Sequence, residues 1–275
     1  MNRWKLTLSY DGTAFHGWQV QPGLPTVQQT LAETLLRLTG ESVLPQGSGR
    51  TDAGVHALGQ VASFALEADI PEASLRKALN RLLPASIRVV GAERVEASFH
   101  ARHAATAKTY EYRIFERRVR QGESVLERVC SPFLAPFVWD CRWPLDAPAM
   151  QQAAQAVIGT LDFASFAASD PERDERLAAE EHGEWPAKSF VRTIFSSTWQ
   201  RDEAAGLLLY RVRGSGFLHH MVRNLVGTFV DVGRGALAAD DLSRILTARD
   251  RNAAGPTAPA RGLFLHSVEY GERSA

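Results

Sequence analysis

Gly47-Ser48-Gly49-Arg50-Thr51-Asp52-Ala53-Gly54-Val55-His56 is the stretch on which the reading of this chain turns. Three glycines and small neighbours surround an arginine and an aspartate with no apolar periodicity, so the segment reads as a loop kept uncrowded. Small neighbours permit close approach of a bulky ligand, and local backbone N–H groups can hold an aspartate there ionised and aimed. Taken alone, an Asx turn beside a solvated arginine is the commoner outcome for such a sequence.

The elements around this loop alternate in type. Before it, Trp4 to Tyr10 alternates as a strand and Asp11-Gly12-Thr13-Ala14 ends it as a turn. Thr26-Val27-Gln28-Gln29 fits a capping box, in which the Thr26 hydroxyl and the Gln29 side chain each satisfy a free N–H at a helix start. Val27, Leu31, Leu35 and Leu38 then share one helical face, and Gly40 suits a left-handed stop. After the loop come a strand from Gln60 to Leu66, a helix from Pro71 to Leu83 carrying Leu75, Leu79 and Leu82, and a strand from Ile87 to Ala92. Further on, Thr106 to Phe115 reads as a strand with Tyr110, Tyr112 and Ile114 on one face, and Met150 to Ile158 as a helix closed by Gly159. Strands at Phe190 to Gln200 and Gly206 to Arg213 precede Leu218 to Val232, which is apolar nearly all round and implies a helix buried between layers. Gly12-Thr13-Ala14-Phe15 and Gly214-Ser215-Gly216-Phe217 share a turn pattern that fits either an internal duplication or the common use of Gly and Ser in turns.

The 275 residues are 45% hydrophobic and 23% charged, which is globular composition and excludes disorder or collagen. Thirty-one Lys plus Arg balance thirty-one Asp plus Glu, so any polyanion site has to be local. Between His100 and Arg120 six cations (Arg102, Lys108, Arg113, Arg117, Arg118, Arg120) face only Glu111 and Glu116, with Phe99, Tyr110, Tyr112 and Phe115 interleaved. Guanidinium and aromatic faces suit phosphates and unstacked bases, although a strand with a charged outer face has the same composition. Seven acids against Arg173 and Arg176 make 170–184 a solvated or disordered loop. Cys130 and Cys141 form no CxxC pair and read as reduced thiols. Neither a signal peptide nor a bilayer span is read, which points to a cytoplasmic protein with no membrane partner.

Gly49-Arg50-Thr51-Asp52-Ala53-Gly54-Val55-His56-Ala57 resembles the signature of the tRNA pseudouridine synthase A family. The resemblance extends to Tyr10-Asp11-Gly12 with Phe15-His16-Gly17-Trp18-Gln19, Phe99-His100-Ala101-Arg102, Lys108-Thr109-Tyr110-Glu111-Tyr112, Asp162-Phe163-Ala164-Ser165-Phe166, His219-His220-Met221-Val222-Arg223-Asn224 and Gly262-Leu263, in order along nearly the whole chain. It implies an isomerase that converts uridine to pseudouridine at positions 38 to 40 of the tRNA anticodon stem-loop. It also implies that Asp52 is the catalytic carboxylate, acting at the ribose anomeric carbon, at the uracil ring or through a glycal. By the same resemblance Tyr110 packs on the flipped base, Arg223 pairs with Asp52, and Leu263 lines the uracil pocket. Arg50 fills the gap left by base flipping, and Phe99, His100, Ala101, Arg102, His103 and Arg118 contact RNA. No cofactor is implied, because exchanging a C–N for a C–C glycosidic bond changes no oxidation state and needs no donated group.

The resemblance further implies an α/β (α+β) pseudouridine synthase fold of two ferredoxin-like halves, 1–105 and 106–275, on a continuous, mainly antiparallel sheet, in a homodimer. Two rivals stay open: a noncatalytic RNA-binding protein, and a metal-dependent hydrolase using His219, His220 and Asp52. Adjacent histidines on a helix project roughly 100° apart, a poor chelating pair, so no metal is expected.

Overall fold

The computed structural model describes residues 1–121, 124–169 and 189–271, so the acidic run at 170–184 lies outside the described residues. The chain opens with β1 (Asn2–Tyr10), α1 (Val27–Thr39), β2 (Gln46–Gly47), β3 (His56–Leu66), α2 (Glu72–Leu82) and β4 (Ile87–Val95). It continues with β5 (Ala105–Glu116), β6 (Arg118–Gln121), β7 (Ser124–Glu127), β8 (Trp139–Cys141), α3 (Ala147–Gln155) and β9 (Gly159–Asp162). Last come β10 (Val191–Asp202), β11 (Leu207–Gly214), α4 (Met221–Gly233), α5 (Asp241–Ala248) and β12 (Leu263–Tyr270). The class is the expected mixed α/β, with a large, mainly antiparallel sheet. Two compact units emerge: residues 1–111 with 260–275, and residues 112–259. The expected halves, 1–105 and 106–275, differ from these because residues 106–111 and the final strand fall with the first unit.

In the first unit the strand order is β4-β1-β3-β12-β5. β1 is antiparallel to both β3 (Trp4↔Phe64, Leu6↔Ala62) and β4 (Leu6↔Ala92), while β12 runs parallel to β3 (Phe264↔His56). The alternation of β1 buries Trp4, Leu6, Leu8 and Tyr10 on one face. α1 buries Val27, Leu31 and Leu35 as its spacing dictates and stops at Gly40 in the left-handed region (φ 76). Only half of the capping box forms. Thr26 Oγ1 accepts from Gln29 N (3.3 Å), but Gln29 Nε2 donates to Glu33 Oε1 (2.8 Å), an i,i+4 partner that outcompetes the return bond. β3 starts at His56 rather than Gln60, because β12 pairs with its first two residues, a long-range reason that local pattern does not carry.

In the second unit β10 is antiparallel to β11 (Trp199↔Tyr210) and to β9, and β8 runs parallel to residues 114–116 of β5. α3 begins at Ala147, earlier than the expected Met150, because Asp146 Oδ1 accepts from Ala149 N (3.0 Å) and Pro148 fits the first turn. α4 is buried on eleven of its thirteen residues, as its all-round apolar sequence requires. Its Asn224 is satisfied by donating to Phe166 O (2.8 Å) and accepting from Thr257 Oγ1 (2.6 Å) and Arg251 Nη2 (3.0 Å). Phe229 closes an aromatic cluster with Trp199 and Tyr210, at centroid distances of 6.1 and 5.3 Å. Cys130 and Cys141 are free thiols.

Phe229 has no exposed surface. Phe229→Ala is therefore expected to destabilise the second unit by about 3–5 kcal/mol, as a lowered urea midpoint followed by tryptophan fluorescence.

Candidate active site

The loop carrying Asp52 is built against the turn that follows β1. A Cβ at Gly12 would collide with the Val55 carbonyl, and one at Gly17 (φ 88) with the Thr51 carbonyl, so each glycine admits a second backbone into the place of its own side chain. Trp18 N donates to Thr51 O (3.0 Å) and Gly54 N to Phe15 O (3.2 Å), which locks residues 12–18 to residues 51–54. Gly12 N donates to Nδ1 of His56, a ring that is 1% exposed and stacks on Phe264 at 4.7 Å. Behind the loop lies a buried polar chain. Tyr10 Oη and Thr51 Oγ1 share a hydrogen bond of 2.8 Å, Gln60 Nε2 donates to Gly49 O (2.9 Å), and Ser48 Oγ donates to Gln60 Oε1 (2.7 Å). Every member has a partner, so the chain stiffens the loop rather than leaving desolvated groups unpaired. Burial pushes the Tyr10 phenol up to about 12, against the opposing pull of its bonds to Thr51 and Gln60.

Asp52 itself is half-buried and closes a turn, its carbonyl accepting from Val55 N (3.1 Å). Tyr110, 8% exposed on β5, lies within electrostatic reach of it. Burial holds the Tyr110 phenol above its ordinary value, and the acidic groups of Tyr10 and Asp52 push the same way, so it stays protonated at neutral pH. Arg50 is half-buried one residue before Thr51. Leu263, 5% exposed, immediately precedes Phe264, which pairs with His56 at the end of the loop. The first unit therefore carries Tyr110 and Leu263 on the neighbouring strands β5 and β12, and Asp52 on the loop that leads into β3, the strand on the other side of β12.

The segment before β5 is anchored and charged. Ala101 has no exposed surface, its N–H donates to Ser63 Oγ (3.0 Å), and its carbonyl accepts from Tyr270 Oη (2.8 Å). Expected among the RNA contacts, it is an anchor instead, because side chain and backbone are both occupied. Phe99 is half-buried against Tyr270 at 5.1 Å, and its carbonyl accepts from Arg3 Nε (2.9 Å). His100 and His103 lie 4.3 Å apart, and Arg102 between them is exposed. Desolvation, followed by the charges of His103, Arg3 and Arg102, lowers the His100 pKa, so at neutral pH it offers a neutral ring beside the Arg102 cation.

In the second unit Arg223 stands in the first turn of α4 with Nε donating to Ala258 O (2.8 Å). His219 and His220 precede that helix rather than lying on it. His220 takes φ 57 as its N-cap, and the two rings sit 4.0 Å apart, so the helical-spacing argument against a chelating pair does not apply to them. His219 Nδ1 donates to Ser169 O (2.7 Å). Arg118 is exposed, pairs with Glu127 (2.9 Å), and lines a cavity of about 440 Å³ with Arg117, Arg128, Arg142 and Trp143. One arginine of the basic stretch is spent internally, Arg117 gripping Asp140 (2.6 and 2.7 Å), while Glu116, one of its two acids, is answered by Arg201 from outside the stretch. Sequence reasoning missed Gln60 and Lys108, which hold the loop from β3 and β5, because their partners are 11 and 60 positions away.

The sequence model described as tRNA pseudouridine synthase matches residues 7–104 and 153–271. The tRNA pseudouridine synthase A of Solibacter usitatus (strain Ellin6076) is 52% identical over 270 residues, which span 98% of this chain and 100% of that protein. The proteins of the same description from Rhodospirillum centenum and Limosilactobacillus reuteri (strain DSM 20016) are 44% and 42% identical. Each alignment spans 98% of this chain, and 100% and 98% of those proteins respectively.

The fit between the two loops is open to direct test. Gly12→Ala drives a methyl group into the Val55 carbonyl and is expected to cost about 1–3 kcal/mol of stability, measured by urea unfolding.

Proposed function

The chain belongs to the tRNA pseudouridine synthase family, and from that premise we propose that Asp52 is the carboxylate with which it isomerises uridine to pseudouridine in tRNA. The observation that carries the assignment is the placing of Asp52 on a loop pinned from behind by backbone and buried polar contacts, with the protonated phenol of Tyr110 in electrostatic reach. The C1′–N1 bond of the uridine breaks, the freed uracil turns, the C1′–C5 bond forms, and the C5 proton leaves while N1 gains one. No electrons are gained or lost. Asp52 acts beside the glycosidic bond, whether at C1′, at the ring or by assisting a glycal, and every route needs it ionised and fixed. Tyr110 stacks on the extruded base and, being protonated, offers O–H to the turning ring.

Leu263 supplies an apolar wall for uracil. Arg50 takes the space the base leaves in the stem, for which a long planar cation suits. Phe99, His100, Arg102 and His103 on their anchored segment, and Arg118 with its neighbouring arginines, meet the backbone of the anticodon stem-loop. Local cations of this kind reconcile polyanion binding with a net charge of zero. A homodimer is part of the reading. Val129 and Phe133, 94% and 90% exposed, supply apolar surface for a second copy to cover. Among the described residues no helix is long and apolar enough to cross a membrane.

Pseudouridine mapping on unmodified tRNA after incubation with wild type and Asp52→Asn tests the assignment. Wild type is expected to form product without added cofactor and with no loss in chelator. The variant should fall by at least about three orders of magnitude while still binding tRNA; equal product from both would overturn the role of Asp52. Phe133→Glu is expected to sediment as a monomer where the wild type sediments as a dimer.

A further inference from the structure

We propose that Lys108 is a positioning residue for the isomerisation: its ammonium, held on the carbonyl of Ser48, fixes the loop that presents Asp52 to Tyr110. The proposal rests on the assignment of Asp52 as the reacting carboxylate. Side chains two apart on a strand project from the same face, so β5 delivers Lys108 and Tyr110 to one side. The same strand thus carries a pin for the loop and the phenol that works beside the loop's carboxylate.

Lys108 Nζ donates to Ser48 O at 2.7 Å. The ammonium also stands 2.9 Å from the point a Cβ at Gly49 would occupy, so the bare backbone at 49 is what lets it in. From β3, Gln60 holds Gly49 O and the Ser48 hydroxyl. Two successive residues are thereby clamped by side chains from two strands, and Asp52 follows three residues after the clamp. Of the two clamping groups Lys108 carries the charge, and an ammonium grips a carbonyl more strongly than a neutral donor does.

The position is a poor one for a lysine with no further task. Burial, followed by the like charge of Arg102 in the preceding segment, lowers its pKa to about 8. On the loop side it faces Ser48 and Gly49, neither of which titrates. A cation kept where its charge is disfavoured marks a group whose charge is used. The sign follows directly: below about pH 8 the ammonium is intact and the loop is held, and above it the grip weakens.

Lys108→Met and Gly49→Ala test this from opposite sides, the first removing the ammonium and the second displacing its flexible end. Single-turnover pseudouridine formation on unmodified tRNA, tRNA affinity and urea unfolding are measured for each, with rates followed from neutral pH into the alkaline range. Both variants are expected to lose about 10- to 100-fold in rate with affinity retained. The wild-type rate should fall as pH rises past about 8, and that limb should be absent from both variants. Lys108→Arg, charged throughout the range, should lack the limb as well. Full rate in folded Lys108→Met, a loss confined to tRNA affinity as a phosphate contact would give, or a limb that persists in the variants would overturn the proposal. An active Asp52→Asn would instead sink the assignment beneath it, so the two failures are distinguishable.

Discussion

The Val55 and Thr51 carbonyls occupy the spaces where side chains at Gly12 and Gly17 would project. This backbone-on-backbone fit is the constraint on which the candidate site depends. An aspartate on a free loop samples many directions, whereas one whose flanks are wedged against a second loop samples few, and ordering it on arrival of substrate costs correspondingly less. The fit also explains why the blocks around Gly12–Gln19 and Gly49–Ala57 belong together: the second fills the side-chain volume that Gly12 and Gly17 leave empty in the first. Gln60, Ser48, Tyr10 and Thr51 then add a satisfied polar layer beneath, where leaving one member unpaired would cost about 1–3 kcal/mol, more than a typical single bond contributes.

Elements with a strong period were legible before any coordinates. α1 follows from leucines and a valine at spacings of four, and the burial of α4 from the lack of any polar face. The glycine stop at Gly40 is local chemistry and was equally plain. What escaped was set from a distance. β3 extends back to His56 because β12 pairs with it, and the capping box of α1 is half formed because Glu33 takes Gln29. Lys108 read as one more cation in a basic stretch, since nothing adjacent to it indicates a partner 60 positions earlier. Local pattern indicates neither α5 nor the β6–β7 pair. Asp52 was visible as an unusual aspartate, but its chemistry came from the likeness of the surrounding blocks to a family rather than from glycine spacing.

The electrostatics of the first unit divide its polar groups by duty. Tyr10 and Tyr110 are held protonated by burial, so they serve as donors and surfaces rather than bases. Arg102 and its neutral neighbour His100 stay at the surface, where a polyanion can reach them. In the second unit several arginines are answered by nearby carboxylates, among them Asp140, Glu127 and Glu116. Charge that looks uniform along the sequence is thus sorted by the fold into internal ties and exposed contacts.

The strand that completes the first unit is the last among the described residues: β12 lies beside β3 and supplies Leu263 and the ring on which His56 stacks. During synthesis, β3 and the loop before it leave the ribosome long before this neighbour exists. Synthesis halted before residue 263 would leave the whole aspartate loop without one of its walls, so the site cannot be assembled until β12 has been made.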